Sequence, residues 1–134
     1  MAIPNSPPRR YSTSKQLIAG DDFNKLNDEL NSFQTLTPTG ATQAAAAPIN
    51  AANIEIPAGA AAAGVVLPVS YPGAIVNILN NSSNTTTVYG TGTDVVQTSG
   101  TTYAAAATGV SLVTLTSATY FCIKTGFWQR STTA

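Results

Sequence analysis

Between positions 23 and 33 the apolar residues are Phe23, Leu26, Leu30 and Phe33, spaced 3, 4 and 3. That is the a/d spacing of a helical seam with polar positions between. FNKLNDELNSF is predicted as one short amphipathic helix, with Asp21 or Asp22 capping its first turn. A helix of about a dozen residues is marginal alone in water, so it has to pack on something. Pro38 and Gly40 separate it from the rest of the chain, which favours self-association or docking over packing on its own domain. Ahead of it, MAIPNSPPRRYST carries three prolines and reads as an extended arm. Arg9, Arg10 and Tyr11 in that arm can dock on a partner.

After the helix the period changes. TLTPTGATQAAAAPINAAN reads as a linker, with at most a turn at Ala44 to Ala47 before Pro48. From Asn53 onward apolar residues alternate in short runs. NIEIP stops at Pro57, and Val65 to Leu67 reads as a short buried strand. AIVNILN and TTTVYG, joined through NNSSN, predict a β-hairpin over Ala74 to Tyr89. VVQT is a further strand, and SGTTYAAAATG a loop or weak strand. VSLVTLT slips parity at Val113 and Leu115, as a bulge or a doubly covered strand does. ATYFCIK and FWQR flank Thr125-Gly126 as a second hairpin. Short strands at roughly ten-residue spacing predict a mainly β body, an antiparallel β-sandwich or barrel. Two regions result: residues 1–37, arm and helix, and residues 38–134, the β-domain.

Charge sharpens this division. Residues 1–37 hold eight of the twelve charged side chains; residues 38–134 hold only Glu55, Asp94, Lys124 and Arg130. That second region carries 17 Thr, 7 Ser and 19 Ala instead. A surface so poor in charge has little repulsion to keep copies apart, which suits work inside an assembly. Formal net charge is zero, which gives no sign of a nucleic-acid partner. No apolar run is long enough for a membrane span, and no signal peptide is visible, so synthesis in a cytosol is expected.

The chemistry-bearing residues are few. There is no histidine, which excludes imidazole acid/base work and His metal ligands. Cys122 is the only cysteine, so no internal disulfide forms, and its alternating surroundings predict a buried side chain. Glu55 sits in a strand alternation and Asp94 in a turn, which does not suggest a glycosidase pair. No catalytic residue, cofactor or metal is expected. Most aromatics of the β-region fit core positions, Trp128 least clearly. The paired threonines do not recur at one solenoid repeat length, which argues against an ice-binding lattice.

The succession GVVLP, then P-G-x-x-V-x-I-x-N over 72–80, T-V-Y over 87–89, and A-T-Y-F-C with a following G-x-W over 118–128 resembles small tailed-phage structural proteins. These include capsid decoration (cement) proteins and head-fibre proteins. The resemblance spans most of residues 36–129. It implies a β-rich virion protein that forms a homotrimer, without identifying the virion position; the capsid exterior, with the major capsid protein or another virion protein as partner, is the expected place. It carries no catalytic residues. The expectation is a non-enzymatic decoration protein whose trimer is lined by Phe23, Leu26, Leu30 and Phe33. The alternative is a fibre or receptor-binding module whose contact tips are the loops NNSSNTTT and GTGTD.

Overall fold

The computed structural model describes residues 31–133. From Ser32 onward they belong to one compact unit, Ser32–Ala134. In chain order the strands are β1 (Phe33–Thr35), β2 (Ala47–Pro48), β3 (Asn53–Ile56), β4 (Gly64–Val66), β5 (Ile75–Asn80) and β6 (Thr86–Tyr89). The last five are β7 (Val95–Ser99), β8 (Thr102–Ala104), β9 (Val110–Leu112), β10 (Thr116–Lys124) and β11 (Phe127–Thr133). A single 3-10 turn, Gln43–Ala45, precedes β2.

The unit is mainly β, as the alternation predicts, but its sheets are mixed. One has seven strands in the order β1-β3-β5-β10-β11-β7-β8; the other has four, β2-β4-β6-β9. From β1 to β7 the chain changes sheet at every step. Strands laid down in successive passes therefore run parallel: β1 with β3, β3 with β5, β2 with β4, and β4 with β6. In the large sheet Gln34 stands beside Ile54 and Ile54 beside Ile78, steps of 20 and 24 residues. The chain winds through almost three turns before its last third closes the large sheet with hairpins.

This corrects the expected antiparallel arrangement at a specific place. β5 and β6 exist where the pattern places them, yet they do not form a hairpin. Both edges of β5 are taken, one by β3 and the other by β10. β6 lies in the small sheet between β4 and β9. The connecting loop turns across the core, held from inside by Asn80. Its buried amide donates to Asn84 O (2.9 Å) and Leu112 O (3.0 Å), and its oxygen accepts from Ser82 N and Ser82 Oγ. A polar side chain is stable there because its hydrogen bonds are made within the protein.

The stretch expected to be a linker is part of the body. Leu36 N donates to Glu55 O, and Ile49 N to Val66 O. Ala46, Ala47 and Ile49 are buried. Pro48 is tolerated because β2 is an edge strand that can spare its amide. The body thus begins at Ser32 and includes β1, six residues ahead of the expected boundary at 38.

One hydrophobic core joins the two sheets. Ile54, Ile56, Val76, Ile78, Tyr120 and Trp128 face it from the large sheet; Val65, Val88 and Leu112 face it from the small one. Each aliphatic side chain buried this way contributes about 1.5–3 kcal/mol. Cys122 is buried and free, as expected, and Trp128 is fully enclosed. The β10–β11 hairpin forms as predicted through Thr125-Gly126, with Gly126 at φ 92°. VSLVTLT resolves its parity slip differently: β9 ends at Leu112, and Val113 to Leu115 leave the sheet as an exposed loop.

Candidate functional site

The outer face of the large sheet is built from the alternate residues that do not enter the core. Two rows cross it. Phe33, Asn53, Asn77, Thr119 and Ser131 stand side by side in one; Thr35, Glu55, Leu79, Ser117 and Thr133 in the next. The first row is tied together by its own side chains. Thr119 Oγ1 donates to Asn77 Oδ1 (2.8 Å), Asn77 Nδ2 to Asn53 Oδ1 (3.0 Å), and Asn53 Nδ2 to Ser32 O (3.0 Å). In the second row Ser117 Oγ and Thr133 Oγ1 share a hydrogen bond of 2.6 Å. Parallel winding makes the Asn53–Asn77 pair possible, since it stacks equivalent positions of successive turns in register.

A groove of about 280 Å³ runs between these rows, lined by Phe33, Glu55, Leu79, Asn53, Asn77 and Thr119 among others. Phe33 is 64% exposed at its rim. Among the described residues the half-buried Glu55 carboxylate makes no hydrogen bond or ion pair, and no Lys or Arg lines the groove. Each asparagine amide still has an N–H to offer, and Thr119 Oγ1 can still accept. The groove therefore presents acceptors and donors beside an aromatic ring, without positive charge.

A second feature lies at the end of the sheet where β5 begins. Val69, Tyr71, Ile75 and Ile123 are all exposed there, Ile123 at 71%. Tyr71, Ile75 and Ile123 are held close by Ala74 N donating to Tyr71 O, Gly73 N to Cys122 O, and the pairing of Ile75 with Phe121, and Val69 stands two residues before Tyr71. The neighbouring cation, Lys124, sits 4.8 Å above the ring centre of Phe127. At the opposite end Val113 and Leu115 are exposed, and Leu115 adopts φ 59°, a strained conformation for a branched side chain.

Of the residues expected to line an oligomer, Phe33 starts β1, so a helix does not extend to it. Phe23, Leu26 and Leu30 lie outside the described residues, as do all positions of that helix up to 30 and the docking residues Arg9, Arg10 and Tyr11. The loops expected as contact tips turn partly inward: Asn80, Ser82 and Thr86 are buried, and so is Asp94. Asp94 caps a distant loop through Ser70 N (3.0 Å), where its turn position suggests bonding to its own backbone. Glu55 lines the outer groove, so these two carboxylates serve separate places. No group of three or more His, Cys, Asp or Glu able to hold a metal occurs among the described residues. No helix among them is long and apolar enough to cross a membrane.

The sequence signal for the groove is a repeated Asn-Ile pair, Asn53-Ile54 and Asn77-Ile78, in NIEI and NILN. Its meaning depends on pairing strands 24 residues apart, which nothing local announces. No family model, no curated protein and no solved structure matches the chain.

Proposed function

We propose that the protein is a non-enzymatic structural component of a tailed-phage virion. It decorates the capsid exterior as a trimer, binding across capsid subunits. The β-body serves as a two-layer sandwich that supplies bulk and contact surface. One observation carries this reading: large apolar side chains are exposed on a body almost free of charge. Val69, Tyr71, Ile75 and Ile123 gather at one end, where a soluble monomer ordinarily places charged groups. Such a surface is stable when another protein covers it. Binding only the expanded shell then stabilises that shell by mass action. In this reading Phe23, Leu26 and Leu30 hold the copies together, and Arg9, Arg10 and Tyr11 reach the major capsid protein.

The test is to mix full-length protein with expanded phage heads that lack it. Co-sedimentation and a raised disruption temperature are expected. The double substitution Tyr71→Glu and Ile123→Glu is expected to weaken binding at least tenfold without unfolding the body, since both side chains are exposed. Heads that neither bind nor gain stability refute the reading. A second reading, an adhesion module, draws support from the open groove with its carboxylate unpaired among the described residues, which is lined by residues other than those of the apolar end.

A further inference from the structure

We propose that the groove on the outer face of the large sheet binds a neutral saccharide. This goes beyond the decoration role and rests on different residues. The chemistry of the lining narrows the ligand class. Among the described residues Glu55 is an unpaired carboxylate in a groove lined by no cation, which disfavours phosphates and acidic sugars. A lone carboxylate is too small a donor set for a metal ion. The amides of Asn53 and Asn77 and the hydroxyl of Thr119 would lose hydrogen bonds to water beneath a lipid or purely apolar ligand. A sugar meets each of these demands. Its hydroxyls donate to Glu55 and Thr119 and accept from the free amide N–H groups. Its apolar C–H face rests on the exposed ring of Phe33 and on Leu79.

The site is also held ready. Asn53, Asn77 and Thr119 are fixed by one another on paired strands, so binding orders few side chains. Because the lining comes from β1, β3, β5 and β10, the groove runs across strands. A peptide adding a strand would instead pair with the backbone along the edge of β1 that is free among the described residues, beside the groove. The volume of about 280 Å³ sits at the small end of ligand sites and suits a short oligosaccharide.

The experiment titrates full-length protein with a panel of neutral hexose and N-acetylhexosamine oligosaccharides, alongside analogues carrying a carboxylate. Binding is read by calorimetry and by amide shift mapping. At least one neutral saccharide is expected to bind, with shifts centred on β1, β3, β5 and β10 and the acidic analogue at least tenfold weaker. Glu55→Gln and Phe33→Ala are each expected to weaken it about tenfold with unchanged thermal unfolding, since a charge-assisted hydrogen bond or a stacked ring is removed. Ile123→Ala, at the apolar end, is expected to leave it unchanged. No binding across the panel at about 10 mM, shifts mapping elsewhere, or indifference to both groove substitutions overturns the proposal. So does a groove covered by a second copy in solution, seen as intermolecular contacts at Phe33 and Leu79 without saccharide binding. Head binding depends on Tyr71 and Ile123, so its failure is separable from failure here.

Discussion

From Phe33 to Tyr89 the chain alternates between sheets and every lateral pair among β1 to β6 is parallel; from Val95 to Thr133 it mostly doubles back in antiparallel pairs. Both regions fill the same core. The wound region depends on loops that cross that core, and the closing region on tight turns at its edge. The hydrogen bonds of the crossing loops come from buried side chains such as Asn80. At the β10–β11 turn Gly126 N donates to the hydroxyl of Ser70, and the β7–β8 turn is tied by Gln97 Nε2 donating to Gly100 O. Winding also stacks Asn53 beside Asn77 and so creates the polar row of the outer face. β10 extends that row through Thr119.

The strongest way to break this contrast is to empty the shared core. Trp128 belongs to the closing region but packs in the common cluster. Trp128→Ala is expected to cost roughly 3–5 kcal/mol. Chemical denaturation followed separately by tryptophan-independent probes in β3 and β11 should still show one transition. Two separated transitions would mean that the regions are independent.

Asn80→Ala comes next. It removes the donor to Asn84 O and Leu112 O and the acceptor for Ser82 N and Ser82 Oγ, and is expected to cost roughly 2–3 kcal/mol. Asn77→Ala, which removes an exposed member of the outer row, should cost under about 1 kcal/mol. Equal losses in urea denaturation would show that the crossing loop has no special dependence on its buried amide.

A smaller effect is expected where the two regions join. A methyl group at Gly90 would lie 2.3 Å from Asp94 O, a backbone atom that cannot swing aside. Gly90→Ala should lower stability by roughly 1–2 kcal/mol. An unchanged melting temperature would show that the β6–β7 turn yields freely.

The smallest effect at neutral pH belongs to Tyr120. Burial raises its pKa above the ordinary phenol range, and the positive charge of Arg130 opposes this. The Arg130 guanidinium donates to Ser111 O and Thr98 O, and Tyr120 Oη has no hydrogen-bond partner among the described residues. The folded state therefore holds the neutral phenol more firmly than the unfolded state does. Its contribution is fully present below about pH 10 and is lost as the pH rises beyond it. Tyr120→Phe should be nearly neutral at pH 7 and should flatten the alkaline loss of stability. A substantial loss at pH 7 would reveal a bond from that hydroxyl.

Much of the fold is legible because strands announce themselves by alternation. β3, β5 and β10 fall where apolar residues recur at every second position, and β7 and β11 open on the apolar pairs Val95-Val96 and Phe127-Trp128. What alternation leaves open is the neighbour of each strand. A hairpin and a loop crossing the core place Val76, Ile78 and Val88 inward with the same pattern. The choice is made by Asn80 and by the competition of β10 for the edge of β5. The stretch 36–52 reads as linker because alanine is indifferent to its surroundings: Ala46 and Ala47 are buried by what packs on them. The groove is illegible for a related reason. Glu55 looks like an ordinary outward residue until winding sets it between Thr35 and Leu79.

The proposed role of Phe23, Leu26 and Leu30 in holding copies of this chain together is tested most directly by sedimentation velocity on the full-length protein, beside a chain beginning at Ser32 so that β1 is kept. At about 10 µM the account predicts a species of three times the 13.7 kDa chain mass for the full-length protein, and dissociation in the shortened form. A full-length protein that stays monomeric across the whole concentration range would contradict it.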